Sequence, residues 1–393
     1  MKALRKYIDR IKPNFREGGK FHAFRSVFDG FETFLFVPNE TSKSGTHIHD
    51  SIDSKRIMSI VVIALVPAIL FGMFNVGYQH FVHTTGATGG FWEMFIYGFL
   101  AVFPKIVVSY VVGLGIEFVV AQWKGEEIQE GFLVSGILIP LIVPVGCPLW
   151  ILAIATAFAV IFAKEVFGGT GMNIFNVALI TRAFLFFAYP TKMSGDAVWV
   201  SGENILGFGN TVDGLTAATT LGVASTAAES TGYPAFSWDM VTGLIPGSIG
   251  ETSVIAILLG AILLLITGIA SWKIMFSVFA GGAFMAFIFN AFGPDTAMAH
   301  MPWYEHLILG GFCFGAVFMA TDPVTAARTE KGKYVYGLLI GGIAIVIRVL
   351  NPGYPEGMML AILLMNIFAP LIDYGVVQSN ISRREKRALK SNN

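Results

Sequence analysis

Residues 57–76, IMSIVVIALVPAILFGMFNV, form an apolar run that contains no charged side chain. A helix of about 20 such residues is long enough to cross the hydrocarbon core of a bilayer. The rest of the 393-residue chain has the same character, since 54% of its residues are hydrophobic and only 13% are charged. That composition is typical of an integral membrane protein and excludes a soluble globular domain of this length.

Ten apolar runs approach the length of a transmembrane helix. They predict an all-α integral membrane protein with about ten transmembrane helices. The 44 glycines suit close packing between such helices, because small residues let two backbones approach each other. The runs are 57–76, 94–121, 131–148, 149–166, 174–190, 253–271, 274–292, 304–321, 334–350 and 357–377.

Basic residues are unevenly distributed between the segments that connect these runs. Residues 1–54 contain no signal peptide, and if they lie inside, the outside segments carry little that is basic except Lys192. Because loops rich in Lys and Arg stay in the cytoplasm, we expect both termini on that side. The remaining inside segments carry Lys124, Arg328, Lys331, Lys333 and the tail residues Arg383, Arg384, Lys386, Arg387 and Lys390.

The pattern divides the chain into a cytoplasmic N-terminal segment, a five-helix half, an outer (periplasmic) loop, a second five-helix half and a basic cytoplasmic tail. The outer loop is longer and more polar than a simple helix connector. In the order given, the five parts are 1–54, 55–190, 191–252, 253–377 and 378–393.

The two halves share a short sequence pattern. Residues 130–144, EGFLVSGILIPLIVP, and residues 356–370, EGMMLAILLMNIFAP, both begin with EG and end with proline. Two inverted five-helix repeats, as in urea-channel-like folds, would explain the pattern. A chance resemblance between two apolar segments explains it equally well.

Eight charged residues fall inside the predicted spans or at their ends, where ionisable groups are costly and mark functional sites. Some of them can instead pair with each other or lie at the interface. Asp322 and Asp373 follow apolar runs close to prolines, where carboxylates and free carbonyl groups can ligate a small cation. The eight are Lys105, Glu117, Lys164, Glu165, Arg182, Asp322, Arg348 and Asp373.

A glycine-rich stretch, KEVFGGTGMNIFN at 164–176, precedes the fifth run. Gly168 and Gly169 permit close backbone approach, and the amides of Asn173 and Asn176 suit the polar edge of a planar ring. The spacing matches neither of the common nucleotide-binding fingerprints. A plain helix connector remains the alternative.

The side chains present exclude two kinds of redox site. Cys147 and Cys313 are too few for a four-thiolate iron–sulfur cluster, and we expect both to be buried. No glycine-rich dinucleotide fingerprint follows a predicted strand. The chain therefore lacks the residues that would oxidise NADH by itself.

A further candidate site lies in the outer loop, where residues 213–219 read DGLTAAT. Its chemistry is that of an acid followed by small residues and an accessible hydroxyl, and an ordinary turn has the same composition. The pattern also resembles the motif at which a flavin transferase joins FMN to threonine through its phosphate. Asp213, Thr216 and Thr219 match that motif, which makes Thr219 the acceptor, with Thr220 beside it as the alternative.

Four longer stretches resemble the NqrB family, a membrane component of the bacterial sodium-translocating NADH:quinone oxidoreductase (Nqr). The resemblance extends from GGK at 18–20 to the basic tail. The RnfD proteins of the related Rnf complex share the flavin motif but generally lack a long polar N-terminal extension, so residues 1–54 favour the quinone oxidoreductase. The stretches are DSIDSKRIM (50–58), FGGTGMNIFNVALITRAFLFFAYP (167–190), ATDPVTAARTEKGKYVYG (320–337) and NPGYPEGMMLAILLMNIFAPLIDY (351–374).

This resemblance implies a translocase subunit of a bacterial inner membrane. It implies a covalent FMN phosphoester, a non-covalent riboflavin, and electron transfer from FMN through riboflavin to ubiquinone or menaquinone while sodium moves outward. It also implies five partners, NqrA, NqrC, NqrD, NqrE and NqrF, together with a flavin transferase and membrane lipid, and no nucleic acid. NADH oxidation would belong to those partners.

The resemblance also assigns individual residues. Thr219 would hold FMN, with Asp213 and Thr216 in the motif, and the glycine-rich stretch would lie near riboflavin through Gly168, Gly169, Asn173 and Asn176. Gly113 and Glu117 would border the quinone, although Leu114 stands where a second glycine is expected. Sodium would involve Asp29, Glu117, Asp322 and Asp373. A channel or secondary transporter without a redox role is the alternative from another class.

Phenylalanines recur at roughly helical intervals in the N-terminal segment, at Phe21, Phe24, Phe28, Phe31, Phe34 and Phe36. An amphipathic stretch of this kind can lie on the membrane surface and close over a quinone pocket, or it can dock a partner subunit. Deletion of residues 1–40 is expected to lower quinone reduction and to spare FMN attachment. Quinone-reductase kinetics of the assembled complex measure this, and unchanged kinetics would exclude the lid.

Overall fold

A computed structural model describes residues 2–391 except 17–18, 22–23, 26–27, 29–31, 33–35, 37–43, 47–53, 87, 126–130, 197, 202–216, 228–234 and 352. Among the predicted site residues, Asp29, Asp213 and Thr216 lie outside the described part. Within that part, all regular secondary structure is helical, which confirms the predicted all-α class.

The first half contains five apolar helices, of which the third and fifth are short. The fourth continues as a π-turn, Val160–Lys164, and a 3-10 turn, Glu165–Phe167. π-Turns inside helices are rare and often lie at functional sites. The helices are α1 (Ser54–Thr85), α2 (Phe91–Lys124), α3 (Phe132–Leu141), α4 (Leu149–Ala159) and α5 (Val177–Ala188).

The second half contains α6 (Val254–Ile266), α7 (Trp272–Phe292), α8 (Glu330–Leu350) and α9 (Met358–Ser391). Between α7 and α8 the chain forms only short pieces, of which the last is a second π-turn. These pieces are Ala297–His300, Trp303–Ile308, Phe312–Phe314 and Gly315–Met319. Other short helices are Lys2–Ile11 in the N-terminal segment, and Thr220–Thr226 and Asp239–Thr242 in the outer loop.

Six helices of the described part are long and apolar enough to cross a membrane. They are α1, α2, α4 with its extension, α7, α8 and α9, whereas α3, α5 and α6 are shorter apolar helices. The predicted run 304–321 is interrupted rather than continuous. The last helix does not stop near residue 377, because the predicted tail continues α9 to Ser391.

Glycines lie where helices pack most closely. Helices α7 and α8 share the most extensive contact in the described part. A Cβ atom on Gly341 would collide with the backbone carbonyl of Val278, and one on Gly281 would collide with that of Leu338. Between α1 and α2, Gly98 lies in the same way against the carbonyl of Met73. Close backbone contact thus replaces side-chain packing at these crossings.

The break in the predicted run 304–321 is built around two glycines and an arginine. Gly310 and Gly311 have φ values of 62° and 69°, in the left-handed region that favours glycine. The fully buried guanidinium of Arg348 donates to the carbonyl oxygens of His306 at 2.6 Å and Leu309 at 3.2 Å. These bonds satisfy carbonyl groups that have no water to bond inside a membrane protein.

Helix ends gather at two opposite ends of the molecule. At one end, the starts of α1, α3 and α5, the end of α6 and Lys164 of the extended α4 line one cavity. We call this the basic end, after Lys55, Arg56 and Lys164. At the other end, the end of α5 and the turn before α9 line a second cavity together with residues 193–196, Trp199 and Thr219 of the outer loop, among others. The chain therefore places the glycine-rich stretch and Thr219 at different ends.

The close contact between α7 and α8 gives a test of the packing. Gly341→Ala should lower the stability of the purified membrane protein by about 1–3 kcal/mol, because a methyl group must force the two backbones apart. Thermal unfolding in detergent measures the change. Gly375→Ala is the matched control, since this exposed glycine of α9 has open space around its Cα, and equal melting temperatures for all three proteins would contradict the packing argument.

Candidate functional site

Two cavities contain four of the predicted site residues, Asn173, Asn176, Asp322 and Thr219. The asparagine cavity, at the basic end, has a volume of about 80 Å³ and is lined by Asn173, Asn176, Asp322 and Lys164, among others. The threonine cavity, at the opposite end, has a volume of about 230 Å³ and is lined by Thr219 and Arg182, among others.

Asn176 links two elements of the asparagine cavity. Its side-chain oxygen accepts hydrogen bonds from the backbone N–H groups of Ala178 at 3.0 Å and Leu179 at 3.3 Å, and so caps the start of α5. Its Nδ2 donates to the carboxylate of Asp322 at 3.3 Å. Two residues that are 146 positions apart in the sequence therefore meet in one cavity.

The Asp322 carboxylate is held at the end of the second π-turn. It accepts hydrogen bonds from the backbone N–H of Val324 at 3.0 Å and the hydroxyl of Thr325 at 3.1 Å. Burial raises the pKa of Asp322, and the hydrogen bonds from Val324, Thr325 and Asn176 oppose that rise. The group is a half-buried carboxylate with fixed donors that faces a cavity.

Gly168 and Gly169 of the stretch 164–176 do not line this cavity but form the turn that leads into it. Gly168 and Gly169 have φ values of 114° and 92°, which a side chain would rarely adopt. The N–H of Gly169 donates to the carbonyl oxygen of Lys164 at 3.0 Å and closes the end of the extended α4. Asn173 Nδ2 donates within the same turn to the carbonyl oxygen of Phe175 at 3.0 Å.

Glu117 reaches the asparagine cavity through an ion pair. Its Oε1 accepts a hydrogen bond from Lys164, and both side chains are buried. Its Oε2 has no hydrogen-bond partner in the described part. Gly113, one helical turn away, leaves room for the ring of Phe132, which a Cβ atom would meet.

Asp373 lies apart from this cavity, within α9. Its carboxylate accepts hydrogen bonds from the backbone N–H groups of Arg328 at 2.8 Å and Thr329 at 2.9 Å, and from the Thr329 hydroxyl at 2.5 Å. A negative charge at the start of α8 is favoured by the helix dipole. The structure therefore gives Asp373 an anchoring role between α8 and α9.

Thr219 caps the short helix Thr220–Thr226 in the outer loop. Its hydroxyl oxygen accepts a hydrogen bond from the backbone N–H of Gly222 at 3.0 Å. The residue is half-buried and lines both the threonine cavity and a smaller cavity beside it. Aromatic side chains of Phe186, Trp199 and Tyr354 also line the threonine cavity, which suits a planar ring.

Arg182 forms a buried ion cluster at the threonine cavity. Its Nη1 donates to both carboxylate oxygens of Glu251 at 3.0 Å, and its Nη2 donates to the carboxylate of Glu356 and to the hydroxyl of Ser248. Glu251 precedes α6 and Glu356 precedes α9, so the arginine on α5 joins three elements. Burial raises the pKa of Glu356, and the charge of Arg182 opposes that rise.

The remaining charged candidates mostly have structural partners. Glu165 pairs with Lys124 at 3.7 Å, and Arg348 binds backbone carbonyl groups. Lys105 is buried in α2 and forms no ion pair within the described residues. Cys147 and Cys313 are free and buried, as predicted.

Sequence reasoning missed Glu251 and Glu356 as site residues, because both precede apolar runs and look like interfacial acids. The sequence did contain one signal, the positive charge of Arg182 inside an apolar run, since a buried guanidinium requires a carboxylate partner. The predicted N-terminal phenylalanine stretch is described only in part. Phe28 stacks on Phe15 with ring centroids 4.5 Å apart, whereas Phe31 and Phe34 lie outside the described residues.

Helix α5 connects the two cavities. Asn176 at its start lines the asparagine cavity, and Arg182 and Phe186 line the threonine cavity. At 1.5 Å per residue, these side chains are separated by about 9 and about 15 Å along the helix axis. The fold and its two polar cavities define a polytopic membrane protein with sites at opposite ends of one short helix.

Comparison with known proteins identifies the family. A sequence profile of the NQR2, RnfD, RnfE family matches residues 41–382. A Chromohalobacter salexigens protein, named as the B subunit of Na(+)-translocating NADH-quinone reductase, is 45% identical over 98% of this chain and 96% of its own length. Proteins of the same name from Pseudoalteromonas atlantica and Azotobacter vinelandii are 44% and 43% identical over 98% of this chain and 99% of theirs. The chain belongs to the NQR2, RnfD, RnfE family.

Asp373 provides a test of whether the anchor also serves sodium. Asp373→Asn keeps the shape of the side chain but removes its negative charge. We expect this variant to need a higher sodium concentration for half-maximal turnover of the assembled complex. Thr329→Val is the matched control, because it removes one donor to the same carboxylate and the cap of α8. It should lower thermal stability without moving the sodium curve. A sodium-activation curve for Asp373→Asn that coincides with the parent curve leaves only the anchoring role.

Proposed function

We propose that this chain is the flavin-bearing, quinone-reducing membrane subunit of a sodium-translocating NADH:quinone oxidoreductase. Electrons would pass from a covalent FMN to riboflavin and then to ubiquinone or menaquinone, coupled to outward sodium transport. The observation that carries the proposal is the position of Thr219 and of the Asn173, Asn176 and Asp322 cluster in two cavities joined by α5.

The threonine cavity fits FMN by the chemistry of its residues. Thr219 supplies a hydroxyl for the phosphoester, aromatic side chains supply a ring-binding wall, and Arg182 supplies a positive charge in a buried setting. Bound there, FMN would supply one-electron chemistry that no side chain of this protein provides. The protein would orient the ring and limit its contact with water.

The amide groups of the asparagine cavity suit the polar edge of the riboflavin ring. Asn173 and Asn176 are held by their own hydrogen bonds, so each presents its remaining amide capacity in a fixed direction. Gly168 and Gly169 would help by shaping the turn that carries the asparagines. The short distance along α5 favours electron transfer, because the rate of electron tunnelling falls steeply with distance.

We place the quinone near Gly113 and Glu117, at the basic end. The Lys164–Glu117 ion pair joins that region to the asparagine cavity, so a quinone bound beside Glu117 would lie close to riboflavin. For sodium, we propose Glu117, whose carboxylate is buried, and Asp322, whose half-buried carboxylate faces the asparagine cavity, together with Asp373 and Asp29. Carboxylate and carbonyl oxygens are the ligands that hard cations prefer.

The relatives support this reading over an RnfD-type protein, since several matched over nearly their full length are named as the B subunit of NADH-quinone reductase.

The complex would lie in a bacterial inner membrane, with both termini of this chain in the cytoplasm and with NqrA, NqrC, NqrD, NqrE and NqrF as its partners. The ten spans and inverted repeats are part of the same proposal. A flavin transferase would act on the outer loop, where Asp213 and Thr216 complete the motif.

Covalent attachment of flavin to Thr219 is the decisive test of the proposal. Thr219→Leu removes the acceptor hydroxyl and also the helix cap, which costs about 1 kcal/mol. Thr219→Asn removes the hydroxyl but keeps the cap, because asparagine is an equally good N-cap residue. Both variants should insert in the membrane and lose flavin fluorescence in a denaturing gel.

Thr220→Val is the control, since it leaves Thr219 and its cap intact, and it should fluoresce like the parent. Fluorescence that survives in Thr219→Asn and disappears in Thr220→Val would move the attachment by one residue. A parent protein without covalent fluorescence would favour a channel or transporter that has no redox role.

A further inference from the structure

The guanidinium of Arg182 is the one positive charge that lines the threonine cavity within the described residues. Its side chain is only 5% exposed, so surrounding water screens it weakly. A flavin tethered at Thr219 would share the cavity with this charge. Interactions of a buried charge are stronger than those at a surface, because the local dielectric is low.

Two carboxylates oppose this charge from different directions. Glu251 binds Nη1 through both oxygens, and Glu356 binds Nη2 and itself lines the threonine cavity. The three side chains together carry a net charge of about −1 if all are ionised. Removing the arginine or removing a carboxylate therefore changes the charge of the cavity in opposite directions.

A second arginine, Arg348, restrains one member of the cluster. Arg348 Nη2 donates to the backbone carbonyl oxygen of Glu356 at 3.1 Å, and its guanidinium also binds the helix break at His306 and Leu309. Glu356 is thus fixed at its backbone by Arg348 and at its side chain by Arg182. A charge held in this way does not move away when the charge of a neighbouring group changes.

We propose that the Arg182, Glu251 and Glu356 cluster sets the reduction potential of the flavin attached to Thr219. The inference rests on the proposed function, because it requires that flavin. An electron delivered to that flavin by a partner subunit of the complex would add negative charge to the cavity. Arg182 would stabilise that charge, and the two carboxylates would oppose it.

The sign of each substitution follows from this arrangement. Arg182→Gln leaves two carboxylates without their cation, so reduction becomes less favourable and the potential falls. Glu356→Gln and Glu251→Gln each remove one negative charge, so the potential rises. Arg182→Lys keeps the charge and should remain near the parent value. We expect each neutralised variant to change the equilibrium constant for one-electron reduction about tenfold, which equals about 59 mV.

The experiment uses the full chain, flavinylated by coexpression with a flavin transferase and purified in detergent. A reductive titration follows the flavin absorbance, with the Thr219→Asn protein titrated in parallel so that signals from any non-covalent flavin can be subtracted. Lys192→Gln and Asp239→Asn serve as controls, because they remove one exposed charge of each sign from other positions in the outer loop. Both controls should titrate like the parent.

Opposite shifts for the arginine and glutamate variants support the proposal, since a purely structural defect would not reverse its sign with the charge removed. Shifts in one common direction, or none, would overturn it. If Arg182→Gln does not fold, the test is whether Glu251→Gln and Glu356→Gln raise the potential while Arg182→Lys stays near the parent value, and unchanged or lowered potentials in the two glutamate variants would overturn the proposal. A parent chain that carries no covalent flavin refutes the proposed function itself, whereas a flavinylated parent with unresponsive variants refutes only the role of this cluster.

Discussion

The absence of water inside a membrane protein is the constraint on which this structure depends. Where a helix is interrupted, its backbone carbonyl groups must find donors within the protein. The break near Gly310 and Gly311 satisfies that requirement through Arg348, which binds the carbonyl groups of His306 and Leu309 just before the break and that of Glu356 in the turn before α9. The guanidinium group suits this task, because it offers five donors in a fixed plane.

The same requirement organises the cavity beside Thr219. Arg182 would be costly in isolation, and it is stabilised by carboxylates from the segments before α6 and α9. Those segments are irregular, and irregular backbone at membrane depth occurs where it lines a cavity or is buried in protein. The ion cluster therefore holds in place the turn before α9, which lines the threonine cavity, and the segment before α6, which lines the smaller cavity beside it.

Helix α5 keeps the two cavities close together. Its 12 residues extend about 18 Å, which is well short of the thickness of a bilayer core. Because the helix is short, its capping asparagine and its arginine lie close together although they belong to cavities at different ends. The glycine-rich turn precedes this helix, and the chain after Ala188 leads into the outer loop. A full-length helix would have placed the two cavities farther apart.

The sequence by itself determined the helical class, the approximate positions of the apolar runs, and the short set of charged residues that lie in or beside those runs. It did so because apolar length, glycine content and membrane-embedded charge are local properties of the chain. It also located Asn176 at the start of a helix and Thr219 in its motif. Only the tertiary structure decided which charges meet. Lys164 pairs with Glu117 across 47 positions, and Arg182 pairs with Glu356 across 174. Such partners come from different helices, so no pattern along one segment can specify them. The packing of those helices alone brings the charges together.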